Sequence, residues 1–252
     1  MKLLLKISFL GTYYNGYQVQ PSVPTVQQKL NEGAKRIFGY DCDIVGCSRT
    51  DSGVHANEFF VAVSKKGERG LDYTVPLASV PLALNSVLPD DISVLEAKEV
   101  EDSFHPRYDV KYKEYIYKIW NSPIKDPFLA DRAYHIPQRI EDGDVERMCE
   151  AAKYFCGQHD FAAYMAQGSK IVDTHRTVKY AEVKREGDLI IFKVAADGFL
   201  YNMVRIMCGT LLLVARGKIA PEDIQKITES KCRENAGMTV PACGLYLNKV
   251  EY

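Results

Sequence analysis

One order of patterns, strand–helix–strand–strand–helix–strand, can be read twice along this 252-residue chain, and nothing else in the sequence limits its fold as much. In the first pass Leu3, Leu5, Ile7 and Phe9 alternate as one face of a half-buried strand. After a loop at 11–24 rich in Gly, Tyr, Asn and Gln, Thr25 stands as the N-cap of a helix from Val26 to about Phe38, which Gly39 closes. Strands are predicted at 42–47 and 58–64, a helix near 77–87 that Pro89 cannot continue, and a closing strand at 92–100. The second pass places a Tyr-rich strand at 108–120, an amphipathic helix at 144–155, strands at 178–184 and 189–194 joined by Glu186-Gly187-Asp188, and an apolar helix at 199–215. A short extra helix at 221–228 precedes the last strand at 244–250. Two such passes predict an α+β architecture: two ferredoxin-like βαββαβ halves, 1–106 and 107–252, with a shared mixed or antiparallel sheet and a central active-site cleft. A single irregular α+β domain is the competing reading.

Composition narrows the function classes. Hydrophobic residues make up 46% and charged residues 26%, as in an ordinary globular protein. No apolar run approaches the ~20 residues that span a bilayer. Lys6 also interrupts the leucines of the first strand, so no membrane or secretory segment is expected and the chain reads as cytoplasmic. The cysteines at 42, 47, 149, 156, 208, 232 and 243 form no Cys-x-x-Cys pair, and no two histidines have ligand spacing. No metal is therefore expected, and the cysteines read as reduced, buried small hydrophobes. Neither Gly-rich nucleotide motif is present, so no cofactor is expected. Charge is nearly balanced, with 32 Lys and Arg against 33 Asp and Glu, for a net charge of −1. Residues 1–106 carry 10 basic against 13 acidic groups, and residues 107–252 carry 22 against 20. An RNA partner would require the basic groups to be sorted onto one face.

The densest cluster of reactive side chains lies between the second and third strands, in Gly46-Cys47-Ser48-Arg49-Thr50-Asp51-Ser52-Gly53-Val54-His55-Ala56. Asp51-Ser52-Gly53 alone would be an ordinary turn, in which Asp bonds its own backbone and Gly supplies a positive φ. Arg49, Thr50, Asp51 and His55 within seven positions, at a sheet end, point instead toward a site.

This loop closely resembles the Gly-Arg-Thr-Asp-Ala-Gly-Val-His-Ala signature of the TruA family of tRNA pseudouridine synthases. Further stretches match that family in order: Tyr17-Gln18-Val19-Gln20 with Thr25-Val26-Gln27, and Leu84-Asn85 through Asp91-Ile92. Phe104-His105-Pro106-Arg107, Tyr115-Ile116-Tyr117, Asn202-Met203-Val204-Arg205 and Gly244-Leu245-Tyr246-Leu247 complete the set across nearly the whole chain. Ser48 and Tyr17 depart from the family's usual Gly and Trp; neither change removes a reactive group. The resemblance implies a cofactor-independent isomerase that acts on uridines 38, 39 and 40 in the anticodon stem-loop of tRNA, working as a homodimer. It implies Asp51 as the nucleophile, with attack at C1′ or at C6 left open, and Arg205 as the cation that keeps it ionised. It further implies Tyr115 as the residue stacking on the flipped base, with Arg49 on the RNA backbone or in the space the base vacates, and Leu245 packing beside the base. The N-terminal half would thus carry the Asp loop, and the C-terminal half the Tyr and the Arg.

Other readings use the same residues. Arg205 could be a helix-surface arginine, although Met203, Val204, Ile206 and Met207 around it are apolar. His55 and His105 read as structural hydrogen-bonding groups, because the chemistry needs no histidine base. A non-catalytic RNA-binding protein on the same scaffold would have no reason to keep a carboxylate at Asp51, and a synthase of broader RNA specificity would share every motif. Ser48 or Ser52 with His55 could suggest a hydrolase, but groups so close in one loop rarely reach triad geometry.

Overall fold

Alternation buries Leu3, Leu5, Ile7 and Phe9 of strand β1 (Lys2–Phe9), and Leu4 on the opposite face is buried as well. The computed structural model describes residues 1–169 and 171–252, and in it β1 is an interior strand, paired with residues 56–63 on one edge and 92–100 on the other. The first helix, α1 (Val26–Phe38), forms as its local signals predict. The Thr25 hydroxyl accepts from the Gln28 N–H at 3.3 Å, and Gly39, at φ 82°, ends it in the left-handed region. Its Val26, Leu30 and Ala34, spaced four apart, form the buried stripe.

Strands β2 (Cys42–Gly46) and β3 (His55–Lys65) are antiparallel neighbours, with Cys42 opposite Lys65 and Gly46 opposite Val61. The predicted helix at 77–87 is shorter: a 3₁₀ turn at Leu77–Ser79 leads into α2 (Val80–Asn85). Pro81 suits only a first helical turn, and the Asn85 side chain leaves the helix to clip the next strand. Its amide donates to Val94 O at 2.9 Å and its oxygen accepts from Val94 N at 2.7 Å, which anchors β4 (Ile92–Val100). The strand order β4-β1-β3-β2, antiparallel throughout, makes residues 1–100 a βαββαβ unit with helices returning each split pair of strands.

The Tyr-rich strand begins later than predicted, as β5 (Tyr112–Trp120), because the preceding residues close a turn. There the neutral His105 ring accepts from the N–H groups of Arg107 and Tyr108, while Asp109 accepts from His105 N. A two-residue strand, β6 (Tyr134–His135), runs parallel to β5 and has no counterpart in the sequence pattern. Helix α3 (Asp142–Lys153) and strands β7 (Gly157–Asp160), β8 (His175–Glu186) and β9 (Leu189–Ala196) follow, in the antiparallel order β5-β9-β8-β7. The apolar helix α4 (Met203–Ala215) starts four residues later than predicted, because Asn202 adopts the left-handed conformation at φ 59°. Eleven of its thirteen residues are buried, so it is a core helix. Helix α5 (Asp223–Ser230) and strand β10 (Leu245–Glu251) complete the chain. The chain packs as two compact units, one of Met1–Lys111 with Leu247–Tyr252 and one of Tyr112–Tyr246. No helix among the described residues is long and apolar enough to cross a membrane.

Candidate active site

In the first unit the loop between β2 and β3 is fixed through its backbone. Thr50 O accepts from Tyr17 N at 3.2 Å, and Tyr14 O accepts from Gly53 N at 3.2 Å and from the Ser52 hydroxyl at 3.3 Å. Asp51 O accepts from Val54 N at 3.2 Å, and Gly53 sits at φ 77°, so the Asp-Ser-Gly turn read from the sequence is real. Gly16 is required there: a Cβ on it would lie 2.4 Å from Thr50 O. Tyr14 is itself tied down, its hydroxyl donating to Asp91, in the α2–β4 connection, at 2.5 Å. The 14–17 segment thus holds the loop and Asp91 holds that segment, while Asp51, half-buried, stands at the loop's apex. Arg49 beside it is exposed. His55 is fully buried, and its Nδ1 accepts from Gly11 N at 2.9 Å, a bond that joins the end of β1 to the start of β3. Tyr17 does not offer a free ring face. It is 2% exposed and stacks on Phe59 at 4.5 Å, filling the room left by Gly46.

In the second unit Arg205 occupies the first turn of α4. Its Nε donates to Val240 O at 2.7 Å and its Nη1 donates to the Asn202 side-chain oxygen at 2.6 Å. Val240 is brought there by two glycines. A Cβ on Gly209 would lie 1.9 Å from Met238 O, and one on Gly237 would lie 2.3 Å from Gly209 C, so the 237–240 segment crosses α4 backbone to backbone. Thr210, buried in the helix, accepts from Gly237 N at 2.9 Å and fixes the crossing. Tyr117 then donates to Pro241 O at 2.7 Å, and its phenol is pushed well up by burial, with the positive charge of Arg205 acting in the opposite direction.

Tyr115 lies on the same face of β5 as Tyr117, its ring edge against Phe199 at 5.0 Å, and is 6% exposed. Leu245, also 6% exposed, follows Gly244, whose missing side chain admits the Tyr117 ring. Arg205 thus acts electrostatically on Tyr117, Tyr115 shares its strand face, and Leu245 follows the glycine beside its ring. Sequence reasoning missed the roles of Asn202, Val240, Gly209 and Gly237, which set the arginine. Only a residue type that tolerates positive φ (Asn) before the helix hinted at them. Among the described residues no group of three or more His, Cys, Asp or Glu side chains is placed to hold a metal ion.

Each unit supplies one kind of chemistry: the first a carboxylate on a rigid loop, the second an oriented guanidinium beside buried aromatic rings. A family pattern described as tRNA pseudouridine synthase matches residues 151–252. The tRNA pseudouridine synthase A of Thermoanaerobacter sp. (strain X514) is 42% identical over 250 residues, 99% of both chains. That of Moorella thermoacetica is 43% identical over 252 residues, again 99% of both. A chain in the crystal structure of a Cbf5-Nop10-Gar1 complex aligns with 97% of this chain at a TM-score of 0.40 and 15% identity. The present chain spans about half (48%) of that chain, and the likeness is too loose to carry an argument. With relatives this similar along the whole sequence, the chain belongs to the family of tRNA pseudouridine synthases, isomerases that convert uridine in tRNA to pseudouridine.

Proposed function

We propose that the chain modifies uridines 38, 39 and 40 of the tRNA anticodon stem-loop, with Asp51 as nucleophile, acting as a cytoplasmic homodimer. In this reaction the bond from ribose C1′ to uracil N1 breaks, the base turns, and a C1′–C5 bond forms. The proton on C5 leaves and N1 gains one, so substrate and product are isomers and no oxidant or energy source is consumed. Attack by the Asp51 carboxylate at C1′ or C6 would hold one fragment covalently while the base turns. Arg205 would keep that carboxylate ionised in a site that excludes water, Tyr115 would stack on the extruded base, Leu245 would pack beside it, and Arg49 would hold the RNA backbone. The observation that carries this reading is the loop of Asp51. Its backbone is bonded to the 14–17 segment on both sides of Asp51, so the chain that carries the carboxylate is fixed before substrate arrives.

The test is Asp51→Asn with an unmodified tRNA transcript, followed by mapping of pseudouridine. Turnover should vanish at positions 38, 39 and 40 while tRNA affinity stays within about threefold, because many phosphate contacts supply binding. A variant that keeps a tenth of wild-type turnover overturns the nucleophile, and wild-type modification confined to other positions overturns the assigned substrate.

A further inference from the structure

Asn202 occupies the N-cap position of α4, where an Asn side chain ordinarily accepts a hydrogen bond from the second or third N–H of the helix. It makes no such bond. Its oxygen instead accepts from Arg205 Nη1 at 2.6 Å, while its backbone is left-handed, φ 59° and ψ 11°. The second acceptor on the guanidinium is Val240 O, at 2.7 Å from Nε. Both acceptors are neutral, so they set the plane of the guanidinium and leave its positive charge for an anion. Either requirement alone would be met by a commoner residue. Glycine satisfies the positive φ without strain but offers no acceptor. Aspartate offers an acceptor and caps helices well, but it would neutralise the arginine.

We infer that Asn202 is a positioning residue for the isomerisation, holding the Arg205 guanidinium in its working orientation while preserving its charge. The inference rests on the catalytic assignment of Arg205 and Asp51 proposed above. It separates from a helix-capping role through two substitutions. Asn202→Gly keeps the backbone conformation and removes the acceptor. Asn202→Asp keeps both backbone and acceptor and adds a negative charge. Single-turnover pseudouridine formation on unmodified tRNA, the apparent KM for tRNA, the thermal midpoint and the pH profile of kcat are measured for each.

The Asn202→Gly variant should lose about tenfold in kcat, the scale of one hydrogen bond to a charged group. Its KM should stay within twofold of wild type and its thermal midpoint within a few degrees. The Asn202→Asp variant should be at least as stable as wild type. Its kcat at neutral pH should nevertheless be lower, and the acid limb of its pH profile should move upward, because a second carboxylate competes for Arg205. A merely structural cap predicts wild-type kcat and an unmoved acid limb for Asn202→Asp; either result overturns the positioning role. If Asn202→Gly retains wild-type kcat while Asp51→Asn is inactive, the inference fails and the catalytic assignment stands. If Asp51→Asn is active, the catalytic assignment fails whatever Asn202 does.

Discussion

Gly46 shows how a missing side chain can set a site. A Cβ there would lie 2.6 Å from the Tyr17 ring and 2.8 Å from the Phe59 ring, and Tyr17 is the residue whose N–H holds Thr50 O. Gly46→Ala should therefore cost roughly 2 kcal/mol of stability, the usual scale of overpacking a well-filled core. Urea unfolding reads this directly, and an unchanged midpoint would show that the rings move aside freely. The sequence placed Gly46 at the head of the reactive loop but could not say which ring lies over it. His55 was legible in role, as a structural hydrogen-bonding group, and its partner Gly11 N was not. A histidine's partner 44 positions away is chosen by the fold rather than by neighbours in the chain.

Among the elements, those written by local signals are the ones the sequence predicted closely. Helix α1 needs only Thr25, a four-residue stripe and Gly39, all within fifteen residues. Helix α4 starts later than its hydrophobic pattern suggests because Asn202 takes a left-handed backbone, and strand β5 because the His105 ring accepts two N–H groups within a turn. Strand β7 and helix α5 are joined by a comparable clip at Asp160, which no pattern announces. Burial pushes the Asp160 carboxyl up, but bonds from Thr174, Lys231 and Ala162 N outweigh it and hold its pKa at about 2, against an ordinary 3.8. Since the folded-state value is the lower one, this contribution is fully present above about pH 4 and is lost as pH falls through about 2. Urea midpoints of the wild type should accordingly drop between about pH 4 and pH 2 more steeply than those of Asp160→Asn. Parallel curves for the two proteins would place the acid sensitivity elsewhere.

At the scale of the whole molecule, a net charge of −1 is no obstacle to binding a polyanion. Counterion release depends on the Lys and Arg side chains that meet phosphates, and the global balance does not enter. Binding of tRNA should therefore weaken steadily with salt, by about 0.7 to 0.9 in log affinity per tenfold salt for each phosphate neutralised. Filter binding across a salt series measures that slope, and a flat line would mean that few basic groups face the RNA.

The sequence by itself determined the strand and helix order of the first pass, that of the second apart from the short strands β6 and β7, the presence of one reactive loop, and the family. Each of these is carried by neighbouring residues, through periodicity, caps and contiguous motifs. What only the tertiary structure decided is how the side chains are held: Tyr14 and Tyr17 on the backbone of the Asp51 loop, and Gly209 and Gly237 letting two backbones cross so that Val240 O reaches Arg205. It also placed the Asn202 side chain on the Arg205 guanidinium. The physical reason is that hydrogen-bond partners and close approaches are chosen by packing between segments distant in the chain, and the order of residues does not record which distances the fold will close.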